Sequence, residues 1–197
     1  MSLASRFDLR ALAPPAAATP EAEAAQFTRD PETWQALMHW CRQPATQALP
    51  AARLRSEGDA AALRAWADAL ARQLDGGTAL DALPGGWPKL ALRLRVKWQD
   101  LSAAVPTVWD AGWLRSEPQA LDHLARHWRP RRPTLLLADA ADAAQAQRLR
   151  PVQLALAERL QRSPPPQALR PVRWLWLGDP GADGPPPWTQ GWTLAGH

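Results

Sequence analysis

Apolar side chains recur at helical spacing in two stretches of the first half of the chain. The first stretch begins with Asp30, a residue suited to cap a helix, and Pro31, which fits a first turn, and it ends at Pro44. The second begins at Asp59 and is closed by the glycine pair at 76–77. Because a repeat of three or four residues is typical of amphipathic helices, we expect two helices that pack on each other. The apolar stripes consist of Trp34, Leu37, Met38 and Cys41 in the first helix and of Leu63, Trp66, Leu70 and Leu74 in the second.

The stretch at 89–98 fits two different periods. Every second residue from Leu90 to Trp98 is apolar, which is the pattern of a strand with one buried face. Leu90, Leu94 and Trp98 are also spaced four residues apart, as on one face of a helix. The alternation favours a strand, whereas the content of Leu, Ala, Arg and Lys favours a helix, so both interpretations remain open. A Pro-Gly-Gly-Trp-Pro turn at 84–88 separates this stretch from the preceding helix.

The second half of the chain has a strand–helix–strand pattern. The apolar runs Thr134–Ala138 and Val172–Leu177 are typical of strands that are buried on both faces. Between them, residues 143–162 carry an apolar helical face, and Pro151 is expected to kink this helix or to start a second one. The order predicts a right-handed βαβ unit. The helical face consists of Leu149, Val152, Leu156 and Leu160.

The predicted elements give a mixed α/β fold, with a helical N-terminal half and a small C-terminal sheet that contains the βαβ unit. A further helix is expected over residues 118–128, and residues 109–115 are expected to be irregular. The chain divides into a flexible N-terminal arm (1–26), a helical region (27–83), an α/β region (84–177) and a tail rich in Pro, Gly and Trp (178–197).

Composition and charge narrow the classes of function. The chain has 197 residues, with 12 Trp and 21 Pro but no Tyr, a bias that is typical of a GC-rich bacterial genome. Its formal net charge of +4 is small for a dedicated nucleic-acid-binding protein. A single cysteine, Cys41, excludes an internal disulfide framework and fits a reducing cytoplasm. The first ten residues lack the apolar core of a signal peptide, and the apolar runs are too short to cross a bilayer, so we expect a cytoplasmic protein without membrane contact.

Carboxylates follow both strands of the predicted βαβ unit. Asp139 and Asp142 come after the first strand, and Asp179 comes after the second. Parallel strands end at the same edge of a sheet, where open α/β sheets bind ligands, so these carboxylates are candidate Mg²⁺ ligands. The sequence LLLADAADA at 135–143 resembles the metal site of von Willebrand A domains, which implies a metal-dependent α/β domain, although alanine replaces both hydroxyl residues of the Asp-x-Ser-x-Ser motif. Alternatively, Asp142 caps the next helix and Asp179 begins a turn.

A basic cluster follows the helix expected at 118–128. It is interleaved with His127 and Trp128, a combination that suits contacts to phosphates together with stacking on bases. A solvated turn in an arginine-rich protein has the same composition. The cluster consists of Arg126, Arg129, Arg131 and Arg132.

No set of residues in the sequence indicates a catalytic reaction. No serine lies in a nucleophile elbow, and the glycine-rich loops that bind nucleotide phosphates are missing, so we expect no cofactor. We expect a non-catalytic interaction or adaptor subunit of a bacterial multi-protein system, with protein partners, because Trp is enriched at interfaces. The alternatives are a nucleic-acid-binding accessory protein that uses the basic cluster, and a metal-dependent or degenerate von Willebrand A-like domain. The expected docking surface consists of Trp174, Trp176, Trp188 and Trp192.

Overall fold

The computed structural model describes residues 11–16, 30–44, 47–57, 59–76, 108–130, 132–140, 143–162, 170–179 and 189–194. Within these ranges the fold is mixed α/β, as the sequence predicts, with four helices and one six-stranded sheet. In chain order the elements are β1 (Leu12–Ala13), α1 (Pro31–Arg42), β2 (Ala51–Ser56), α2 (Ala60–Leu74), β3 (Asp110–Leu114), α3 (Pro118–Arg126), β4 (Thr134–Asp139), α4 (Ala143–Arg162), β5 (Val172–Leu177) and β6 (Gln190–Leu194). The ambiguous stretch at 89–98 lies outside these ranges.

The strands are ordered β1-β3-β4-β5-β2-β6 across the sheet. The short β1 is antiparallel to β3, and every other neighbouring pair is parallel. β4 and β5 are adjacent and in register from Thr134–Val172 to Asp139–Leu177, and α4 connects them in the chain. The strand, helix and strand of the expected βαβ unit are therefore confirmed.

Helices cover both faces of the sheet. The apolar sides of α1 and α2 pack on one face, the α1/α2 face, and those of α3 and α4 pack on the other, the α3/α4 face. Successive residues of a strand point to opposite faces, so a strand covered on both sides must be apolar at almost every position. In β4, Leu135 and Leu137 belong to the α1/α2 face, whereas Leu136 and Ala138 belong to the α3/α4 face.

The first two predicted helices form as their capping residues indicate. The Asp30 carboxylate accepts a hydrogen bond from the Thr33 N–H at 2.9 Å, and the Asp59 carboxylate accepts one from the Ala61 N–H at 3.0 Å. All four residues of the expected α2 stripe are buried. The predicted packing between the helices is confirmed by an edge-to-face contact of Trp34 with Trp66, whose ring centroids are 5.2 Å apart.

The expected flexible arm contains the short β1, whose Leu12 is buried. Three further strands lie where the sequence predicts helix, irregular chain or tail. β2 falls in the supposedly helical region, β3 in the segment expected to be irregular, and β6 in the aperiodic tail. These strands are rich in Ala, Gly and polar residues, which carry little intrinsic preference for strands. They form because the neighbouring strands supply hydrogen-bonding partners: β2 lies between β5 and β6, and β3 lies between β1 and β4. The N-terminal half is therefore not purely helical.

Of the two outcomes expected at Pro151, the start of a second helix does not occur. α4 is a single helix from Ala143 to Arg162 with Pro151 inside it. Proline removes the N–H that would bond to the carbonyl of Gln147, and both residues are exposed, so water can hydrate that carbonyl. None of the helices in the described part of the chain is long and apolar enough to cross a membrane.

Candidate functional site

A cavity of about 250 Å³ opens at the carboxyl ends of β2, β4 and β5. The chain leaves β2 towards α2 on one face of the sheet and leaves β4 towards α4 on the other face. Connections that diverge in this way open a crevice, and open α/β sheets bind their ligands there. We call this cavity the carboxyl-edge pocket. Its lining consists of Arg55, Ser56, Ala60, Leu63, Arg64, Asp139, Leu177, Gly178 and Asp179.

One wall of the carboxyl-edge pocket carries a close ion pair between α2 and β4. The Nε and Nη2 atoms of Arg64 donate to Oδ2 of Asp139 at 2.9 and 2.6 Å. Arg64 is 53% exposed, whereas Asp139 is only 17% exposed. The carboxylate is therefore held at the base of the pocket while the guanidinium reaches towards solvent.

The opposite wall carries a looser ion-pair group. Oδ2 of Asp179 lies 3.5 Å from Arg53 Nη1 and 3.7 Å from Arg55 Nη1. Gly178 sets this position with a φ of 96°, a conformation that favours glycine. Its N–H donates to the Leu54 carbonyl at 2.9 Å, which turns the end of β5 over β2 and places Asp179 at the rim.

The expected gathering of carboxylates is found for Asp139 and Asp179, which line the same pocket. Each of them forms ion pairs with arginine side chains. Asp142 lies outside the described residues. Among the residues that the structure describes, no group of three His, Cys, Asp or Glu side chains is arranged to hold a metal ion. The carboxyl-edge pocket is therefore a site of mixed charge.

A second cavity, of about 420 Å³, lies between α1 and β6. We call it the α1/β6 groove. Trp40 and Trp192 both line it, and their rings are in edge-to-face contact with centroids 5.9 Å apart. Trp40 is buried and Trp192 is half-buried, so the groove has an aromatic floor. Its lining consists of Ala36, His39, Trp40, Gln43, Gln190, Gly191 and Trp192.

A buried cation lies directly behind this aromatic floor. Arg173 is 1% exposed, its guanidinium carbon is 5.4 Å from the Trp40 ring centroid, and its Nη2 donates to the Gln43 carbonyl. Burial lowers the pKa of Arg173, against a smaller opposing effect of Cys41. Burial also raises the pKa of the Cys41 thiol to about 12, although Arg173 and Arg42 oppose this shift. Cys41 is therefore a neutral core thiol.

The prediction that Trp174 and Trp176 belong to a docking surface is wrong. Trp174 and Trp176 are completely buried on the α3/α4 face, where their rings contact each other. The indole N–H of Trp176 donates to Gln153 Oε1 of α4 at 3.1 Å. β5 is a central strand covered by helices on both sides, so neither side chain can reach a partner. Trp192 lies in the α1/β6 groove, and Trp188 is outside the described residues.

The expected basic cluster does not form one surface. Arg132 is buried beside the Asp110 carboxylate, at 3.6 Å, and Arg126 forms an exposed ion pair with Asp122 at 2.7 Å. Trp128 is buried in the core and cannot stack on a base. Arg129 is exposed, and Arg131 lies outside the described part of the chain. The arginines and the tryptophan that suggested nucleic-acid binding are therefore divided between the core and the surface.

Sequence reasoning missed the arginines of the carboxyl-edge pocket. Arg53 and Arg55 alternate with Leu54 along β2, a period-two signal too short to stand out beside the alanines. Arg64 lies outside the apolar stripe of α2, and only the position of β4 shows its partner.

No protein-family model, curated protein or solved structure matches this chain.

Proposed function

We propose that the protein is a non-catalytic interaction subunit of a bacterial multi-protein system and that it binds an extended segment of a partner protein along the α1/β6 groove. The observation that carries this proposal is the groove itself, which has two tryptophans at its floor and a strand along one wall. Tryptophans at the centre of a groove are frequent anchors of protein interfaces.

β6 supports an extended occupant. It is the last strand in the order of the described sheet, and its known strand partner is β2. Gln190, Gly191 and Thr193 are exposed along it. An edge strand can accept a further strand through its backbone hydrogen-bonding groups, while neighbouring pockets take up alternate side chains. An extended segment that pairs with β6 would lie beside the groove and place side chains over Trp40 and Trp192.

The charges around the groove favour an acidic occupant. His39 and Arg42 lie in the last turn of α1, and Arg173 lies behind Trp40. Within the described residues, Arg173 contacts the Gln43 carbonyl and the Trp40 ring and forms no ion pair. The field of a buried charge is only weakly screened by salt, so it favours carboxylates in a bound segment.

The test uses charge substitutions at the exposed Gln190 of β6 and at Gln35, an exposed residue of α1 that does not line the groove. The tagged full-length protein is isolated from its own cells as the wild type and as Gln190→Glu, Gln190→Arg, Gln35→Glu and Gln35→Arg. We expect one partner whose recovery falls with Gln190→Glu, is maintained or rises with Gln190→Arg, and is unchanged by both substitutions at Gln35.

Equal recovery with both Gln190 variants would contradict the proposal, and so would the absence of any partner from the wild type. A crosslinking group placed at Gln190 identifies the bound segment. A segment without acidic residues would refute the charge argument while leaving the groove as the binding surface.

A further inference from the structure

We propose that the carboxyl-edge pocket binds a small zwitterion of the aliphatic α-amino acid class. This site is separate from the α1/β6 groove, because the two cavities share no lining residue. The proposal rests on three properties of the pocket: its place in the fold, the two ion pairs in its lining, and its size.

The lining holds two ion pairs of different strength. The Arg64–Asp139 pair is joined by two short hydrogen bonds. Arg55 and Asp179 are 46% and 56% exposed and lie 3.7 Å apart, so their contact is loose. Exposed ion pairs of this length add little to stability, and a ligand can therefore separate them at small cost.

A zwitterion can engage both partners of the loose pair, whereas a simple ion engages only one. An anion on Arg55 leaves Asp179 paired with Arg53, and a cation on Asp179 takes from Arg55 the one carboxylate that pairs with it among the described residues. A ligand with both charges replaces one ion pair with two and leaves no group uncompensated. We place the ligand carboxylate on the Arg55 guanidinium, which suits planar two-oxygen groups, and the ligand ammonium on Asp179.

The size and floor of the pocket indicate an aliphatic side chain. A volume of about 250 Å³ holds roughly eight water molecules at about 30 Å³ each, which is the scale of a single amino acid. Leu63 and Leu177 also line the pocket, so they provide an apolar surface for the side chain. The Ser56 hydroxyl adds a polar group at the end of β2.

The α2 N-terminus is not the binding element. Its Asp59 cap accepts from the Ala61 N–H at 3.0 Å, so a carboxylate of the chain already occupies the position where a phosphate would bind. The occupied cap distinguishes this pocket from the phosphate-binding loops of nucleotide-binding folds, whose helix N-termini are open to the ligand.

The test compares three probes of similar shape by calorimetry on the full-length protein. L-Leucine carries both charges, 4-methylpentanoate lacks the ammonium group, and 3-methylbutylamine lacks the carboxylate. We expect L-leucine to bind with a dissociation constant in the micromolar to millimolar range, and we expect the other two to bind about tenfold or more weakly. L-Leucine should also raise the melting temperature, since it binds the folded state alone.

Two pocket variants and one control locate the site. Arg55→Gln and Asp179→Asn should each weaken L-leucine binding by about tenfold or more. Arg126→Gln removes an arginine that is more exposed than Arg55 from an ion pair outside the pocket, and it should leave binding unchanged. These side chains are exposed, and unchanged melting temperatures without ligand would confirm that the variants fold.

Equal binding of 4-methylpentanoate and L-leucine would show a simple anion site and overturn the proposal. Unchanged binding in Arg55→Gln, or no binding of L-leucine to the wild type, would overturn it as well. Each of these results leaves the interaction function untouched, because that function is tested at Gln190 of the other cavity.

Discussion

Trp66 is among the largest fully buried side chains, and it joins α2 to the aromatic ring of Trp34 in α1. We expect Trp66→Ala to lower the free energy of unfolding by about 3–5 kcal/mol, because the substitution removes this contact and leaves a large cavity. Trp66→Phe should cost much less, since the buried indole N–H has no hydrogen-bond acceptor among the described residues. Urea unfolding measures both values. Unchanged stability of a folded Trp66→Ala protein would contradict the packing described for α2.

Asp68 links α2 to β3 and to the segment after β1. Its Oδ1 accepts from Trp113 Nε1 at 2.6 Å and from the Ala16 N–H at 3.1 Å. Burial raises the pKa of Asp68 above its usual value of 3.8, although these two hydrogen bonds oppose the shift. The folded protein therefore keeps this proton to a higher pH than the unfolded chain does.

The stability contributed by Asp68 should accordingly be greatest below its unfolded pKa and should fall as the pH rises towards its folded pKa. Asp68→Asn keeps an oxygen acceptor for Trp113 but cannot ionise, so the variant should gain stability relative to the wild type as the pH rises through this window. Urea unfolding from about pH 3 to pH 7 tests the difference. A wild type that gains stability relative to Asp68→Asn over this range would show that the hydrogen bonds outweigh burial.

The elements differ in how far their own residues determine them. α1 and α2 could be predicted because a capping aspartate and an apolar stripe agree along each helix. β4 and β5 could be predicted because burial on both faces requires a continuous apolar run. β2 and β3 could not, since their alanines and glycine have little intrinsic preference for strands and give no periodic signal.

Pro151 provides a test at the scale of one element. A proline inside a helix is about 3 kcal/mol less favourable than alanine, and its ring restricts the unfolded chain in partial compensation. We therefore expect Pro151→Ala to raise the free energy of unfolding by about 1–3 kcal/mol. Arg148→Ala, an exposed substitution in the same helix, is the control and should change it little. A loss of stability in Pro151→Ala would show that the proline fixes a path of α4 that the sheet requires.

The whole molecule decides which parts of the candidate site meet. The convergence of Asp139 and Asp179 follows from the rule that parallel strands end at one edge, so the sequence was sufficient to predict it. The positions of the arginines near these carboxylates depend on β2, a strand that forms because its neighbours supply hydrogen-bonding partners. Only the complete sheet therefore shows where these arginines lie. Strand pairing also explains the position of Trp192, because the pairing of β6 with β2 brings this side chain to Trp40.

Removal of the tail tests how much the pairing of β6 with β2 stabilises the sheet. A chain ending at Gly178 lacks β6, which pairs with β2 from Ala52–Gln190 to Ser56–Leu194 and buries Leu194. We expect this truncation to lower the melting temperature and to promote association, because β2 becomes an uncovered edge strand. A chain ending at Leu194 keeps β6 and should match the full-length protein in thermal unfolding and in size-exclusion chromatography. If truncation at Gly178 leaves stability unchanged, β6 is not part of the folding unit, and partner binding alone would hold Trp192 in place.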